Sequence, residues 1–113
     1  MQRHQRLRRR RDFAAVYRSG RAYARGPLAL RIRPNPETDG PRYGFAVSKR
    51  LGGAVTRNRI KRRLREAARH SGAAGQVDIV VIARQGAQLA SYGELNAVLS
   101  QLLRRAGLTG SPP

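Results

Sequence analysis

The chain has 113 residues, enough for one domain and too few for two. Lys and Arg number 24 against 6 Asp and Glu, a formal charge of +18, so a folded chain repels itself unless a polyanion neutralises it. The absence of Cys excludes disulfides, thiolate metal sites and cysteine nucleophiles, and fits a reducing cytosol.

Nucleic acid is the first candidate polyanion, ahead of an anionic membrane or an acidic protein. Only Lys49 and Lys61 are Lys; the other basic residues are Arg. The planar guanidinium grips phosphate with two hydrogen bonds and stacks on bases. The longest clean apolar run, 79–83, is far short of a membrane span. No apolar stretch follows the basic start, as it would in a secretory signal.

Residues 1–11 are rich in Arg and lack acids, which predicts a mobile basic arm. A single domain is expected over 12–108 and a tail over 109–113. Asp12 reads as an N-cap, with Phe13, Val16 and Tyr17 on one face of a short helix that Gly20 ends. A short strand is expected near 21–24. Leu28, Leu30 and Ile32 then alternate with Ala29, Arg31 and Arg33, the pattern of a half-buried strand with a basic outer face.

Pro, Gly, Asn and Asp over 34–41 predict a loop or hairpin turn. Residues 42–48 resume as a strand with Tyr43, Phe45 and Val47 on one face. After Gly52 and Gly53, Thr56 reads as the cap of a helix that runs to about His70. The aliphatic run at 77–84 predicts a central strand buried on both faces. Ser91 and Glu94 have capping-box spacing, ahead of an amphipathic helix carrying Leu95, Val98, Leu99, Leu102 and Leu103. The order is αβββαβα, an α+β fold with helices packed on a small sheet.

The helix at 56–69 is the most informative segment. At about 100° per residue, Ile60, Leu64, Ala67 and Ala68 fall on one arc, which faces the core. Asn58, Arg59, Lys61, Arg62, Arg63, Arg65 and Arg69 spread over the rest. Ordinary solvated faces mix charge signs. Here Glu66 is the sole acid, and Arg57 and Arg59 occupy a first turn where the helix dipole disfavours cations. Such repeated departure from a local rule marks a functional face. The N–H groups of the first turn can bind phosphate, and Asn58 can cap or reach a base or a 2′-hydroxyl.

Val47-Ser48-Lys49-Arg50, Gly52 and the run from Ala54 through Arg57-Asn58-Arg59 to Arg62 closely resemble the signature of the bacterial ribonuclease P protein. The similarity extends to Asp12-Phe13 and Tyr17 after a basic lead-in, and to 79–84 near the end.

That resemblance implies a ribosomal-protein-S5-domain-2-like fold, its sheet small and mostly antiparallel, with a left-handed βαβ crossover. It implies a subunit that assists a catalytic RNA in removing the 5′ leader from precursor tRNA, in the bacterial cytoplasm. The active site and its Mg2+ then belong to the RNA. Arg57, Asn58, Arg59, Lys61, Arg62 and Arg65 would bind the catalytic RNA. Phe13, Tyr17, Leu30, Arg9 and Lys49 would hold the leader in a cleft between the first helix and the sheet. Leu30 stands where the family can place an aromatic.

The residues also argue against catalysis by the protein. His4 and His70 lie far apart in sequence, and the carboxylates are scattered. The main alternative is a ribosomal or other structural RNA-binding protein without a processing role. A DNA-binding helix is disfavoured because a strand and a Gly-Gly turn precede it, not a partner helix. The apolar arc is too narrow for stable insertion at a membrane surface.

Overall fold

The computed structural model of the protein describes residues 5–109. Positions 1–4 of the expected arm and 110–113 of the expected tail lie outside the described residues. Helix α1 spans Arg10–Ser19, strand β1 Arg21–Arg25, β2 Leu28–Pro34 and β3 Arg42–Val47. A 3-10 turn covers Lys49–Leu51 and leads to α2, Ala54–Arg69. Strand β4, Val77–Ala83, and helix α3, Tyr92–Arg105, complete the αβββαβα order.

The strands form one sheet in the order β1-β2-β4-β3. The β1–β2 and β2–β4 pairs are antiparallel, and β3–β4 is parallel with α2 as its crossover. The aliphatic run of β4 is therefore central, and nearly every residue in it is buried. β4 also separates β2 from β3, so 35–41 is a loop and not a hairpin turn.

Alternation along the strands sorts side chains to two faces. Leu28, Leu30, Ile32, Tyr43, Ile79, Val81 and Ala83 point to one side and meet Ile60 and Leu64 of α2 and Leu95, Leu99, Leu102 and Leu103 of α3. Removing each such side chain from water is worth about 1.5–3 kcal/mol. The opposite side carries a much smaller cluster of Leu7, Val16 and Val80, with Phe13, Ala46 and Ile82 half-covered against it.

Three local expectations shift. Helix α1 starts at Arg10, with Arg9 as an N-cap that makes no side-chain cap bond, and Asp12 lies in the first turn, where its charge suits the dipole. Helix α2 starts at Ala54 with Gly53 as its cap, so Thr56 is already inside the helix. The described part of the basic arm is docked: the Leu7 N–H donates to the Tyr43 carbonyl at 2.8 Å, and the Leu7 side chain is buried. Leu7 is the one aliphatic among the Arg residues after Met1, and the open face of the sheet gives it a place to bury.

Gly20 ends α1 at an extended φ of −79°. Its value is room, since a Cβ there would sit 2.4 Å from the Val16 carbonyl oxygen. The capping box at Ser91 and Glu94 is present in full.

Candidate nucleic-acid interface

Ile60, Leu64, Ala67 and Ala68 fasten α2 to the core as the periodicity predicts. The cations around them do not share one role. The Arg57 Nε donates to the Gly52 carbonyl at 3.2 Å. Arg59 donates to the Gln88 carbonyl at 3.1 Å, and Arg63 to the Ala90 carbonyl at 2.8 Å. These three guanidinium groups tie α2 to its flanking turns. Asn58, Arg62 and Arg65, at i, i+4 and i+7, line one shallow depression with Val55, and Asn58 and Arg62 are exposed. Lys61 is half-buried at the margin of this ridge. Arg69 is held at 2.8 Å by Glu66, which also meets His70 at 2.9 Å.

The other face of the sheet is organised in rows that cross the strands. The lowest row aligns Arg33, Asp78 and Arg42. Asp78 is buried, and Arg42 grips both its oxygens at 2.8 and 3.0 Å. Asn35 of the 35–41 loop donates to Asp78 Oδ2 at 3.1 Å, and Arg33 stands 3.9 Å away. The hydrogen bond to Asp78 raises the Arg42 pKa further, so its charge is permanent. Arg42 also approaches Asp12 at 4.0 Å, which ties the start of α1 to this network. Around it, Arg8, Arg9 and Arg11 face the 35–41 loop across an open groove of about 1120 Å³.

The next row aligns Ala22, Arg31, Val80 and Gly44. Phe13 lies directly over Gly44, where a Cβ would come within 2.5 Å of the ring. The third row aligns Ala24, Ala29, Ile82 and Ala46. Helix α1 leaves Ala29, Ile82 and Ala46 only half-buried, so this row is a shallow apolar floor in which two alanines flank Ile82.

Tyr17 projects from α1 with 39% of its surface exposed. Partial burial raises its phenol pKa, and nearby Arg31 pulls the other way, so the hydroxyl keeps its proton at neutral pH beside a fixed cation. Lys49 is exposed in the turn just after β3.

Leu30 is the correction among the site residues. It is fully buried and belongs to the α2 and α3 side of the sheet, away from Phe13 and Tyr17. Strand alternation decides this, because a shift of one residue reverses the face. Ala29 and Arg31 are the β2 residues on the α1 side. Arg31, Ile82 and Ala46 escaped the sequence reading, since a cross-strand row depends on register. The outward alternation of Ala29 and Arg31 was the available signal.

Among the described residues, no three His, Asp or Glu side chains gather into a metal-sized group. Both oxygens of Asp78 are occupied by Arg42 and Asn35. These residues do not fit a magnesium site.

A family model described as Ribonuclease P matches residues 1–107. The chain belongs to the ribonuclease P protein family. A ribonuclease P protein component of Roseiflexus castenholzii is 44% identical over 111 residues, covering 96% of this chain and 90% of the relative. The Clostridium novyi component is 35% identical, with 96% and 98% covered. Among solved structures, the Staphylococcus aureus RNase P protein superposes with a TM-score of 0.85 at 34% identity, over 94% of this chain and 98% of that one. The Thermotoga maritima protein gives 0.80 at 32% identity, over 88% and 96%.

Proposed function

We propose that this chain is the RNA-binding, non-catalytic subunit of ribonuclease P, acting in tRNA processing through two surfaces. The α2 ridge of Asn58, Arg62 and Arg65 contacts the catalytic RNA. Arg57 and Arg59 set its outline by fixing the turns beside it, and Lys61 adds charge at its edge. The α1 side of the sheet holds the 5′ leader of precursor tRNA.

The observation that carries the leader site is the half-open row of Ala29, Ile82 and Ala46, bordered by Phe13, Tyr17 and Arg31. The two alanines on either side of Ile82 let a strand of nucleotides approach the sheet closely. An exposed aromatic stacks on any base, which suits a leader of variable sequence. Arg31 and Lys49 supply charge for its phosphates, while Arg9 serves the groove at the start of α1.

Hydrolysis and its magnesium ions belong to the RNA subunit, and the protein acts by binding and orientation. A cytoplasmic location follows from this role, and no helix among the described residues is long and apolar enough to cross a membrane.

The deciding experiment is cleavage of a precursor tRNA by bacterial ribonuclease P RNA at low magnesium, with and without the protein. Stimulation is expected, and it should fall in Arg62→Ala/Arg65→Ala and, for substrates with a leader, in Tyr17→Ala. Tight RNA binding without stimulation would leave only a structural RNA-binding role.

A further inference from the structure

Four large apolar residues are conspicuously exposed among the described residues: Tyr17, Val55, Leu89 and Tyr92. Tyr17 belongs to the leader face. Val55 lies on α2, Leu89 on the turn that α2 holds, and Tyr92 at the start of α3. Leu89 is the most exposed, at 85%, with Val55 at 81%.

A single exposed aliphatic side chain is ordinary. Leu89 is distinguished by how firmly its backbone is held. Its neighbours Ala87 and Ala90 are buried. Its own N–H donates to the Gly86 carbonyl at 3.1 Å, and the Gln88 side chain accepts from the Gly86 N–H at 2.9 Å. Arg59 and Arg63, one helical turn apart on α2, take the carbonyls of Gln88 and Ala90 on either side of it. The turn is therefore locked to the basic helix with its largest side chain facing solvent. Tyr92 follows at the start of α3, 36% exposed.

We propose that the turn between β4 and α3 extends the surface for the ribonuclease P RNA, with Leu89 packing against a base or ribose beside the phosphates held by α2. This rests on the assignment of α2 to the RNA. Charge selects the occupant: the turn is carried by a helix with seven Arg and Lys against one acid, Glu66, in a chain of net charge +18. Unstacked bases and the ribose faces of folded RNA offer the apolar surface that Leu89 and Val55 lack in the free protein. Arg59 and Arg63 are then positioning residues, because they place Leu89.

The lack of Cys permits a direct test. Leu89→Cys and Arg62→Cys each carry one iron-chelate probe for hydroxyl-radical cleavage of the RNA in the reconstituted holoenzyme. Cuts from both positions, in adjoining parts of the RNA, are expected. Cuts from position 62 alone would overturn the extension and keep the α2 surface, and no cuts from either would overturn both. In parallel, Leu89→Ser should weaken RNA binding roughly tenfold with the salt slope unchanged, as loss of an apolar contact requires. Wild-type affinity in Leu89→Ser, with unchanged melting, would also reject the proposal.

Discussion

The sheet face under α2 and α3 is thick and dry, whereas the face under α1 is thin, ionic at one end and open at the other. The first buries leucine against leucine and leaves its cations on the outer surface of α2. The second has a three-residue cluster and a buried carboxylate held by Arg42 and Asn35. Stability is concentrated on one side, which frees the other to leave apolar residues half-covered. The two proposed RNA surfaces consequently differ in kind: a ridge of charge on the thick side, and a shallow floor with an aromatic border on the thin side.

The contrast is tested most sharply by Leu30→Ala. A fully buried leucine on the thick side should cost about 2–5 kcal/mol in urea unfolding. Leader affinity of the folded protein should be unchanged, and a selective loss of leader binding would return Leu30 to the cleft.

Asp78→Ala comes next, at about 3 kcal/mol, because it strands Arg42, whose side chain is only a quarter exposed, without its partner. Greater susceptibility to proteolysis of the 35–41 loop should accompany it. Wild-type stability would show that the network contributes nothing to the thin side.

Tyr17→Ala should barely change unfolding but weaken binding of leader-bearing precursor by about 1–3 kcal/mol, with no effect on mature tRNA. Equal loss for both substrates would move Tyr17 out of the leader site.

Arg62→Ala should lower the salt slope of RNA binding by roughly 0.7–0.9, one phosphate's worth. Arg63→Ala, whose guanidinium faces the Ala90 carbonyl, should leave the slope intact and lower the stability of the turn. The reverse pattern would exchange their roles.

The smallest effect concerns acid. Hydrogen bonds from Arg69 and then His70 hold the Glu66 carboxyl below its ordinary pKa. Its stabilisation is present above the unfolded value and is lost as pH falls through the lower folded value. Glu66→Gln should therefore flatten stability slightly across the acidic range, and an identical pH profile would show that this exposed cluster is inert.

Much of this was legible in the sequence, for identifiable reasons. Periodicity placed Leu30 with Leu28 and Ile32, and it proved a better guide to that residue than the family's cleft. The same rule set Ile60, Leu64, Ala67 and Ala68 inward and made 77–83 the central strand. Helix starts were less legible: side-chain preference favoured Asp12 and Thr56, while backbone geometry used Arg9 and Gly53.

By itself, the sequence determined the element order, the inward arc of α2, the excess of positive charge and the family, because each follows from local pattern. Tertiary structure alone decided which strands are neighbours and hence which residues share a row. Only then do Arg33, Asp78 and Arg42 meet, do Ala29, Ile82 and Ala46 become one floor, and do Arg59, expected at the RNA, and Arg63 clamp the Leu89 turn to α2. Register and long-range hydrogen bonds join residues far apart in the chain, and no local pattern encodes that distance.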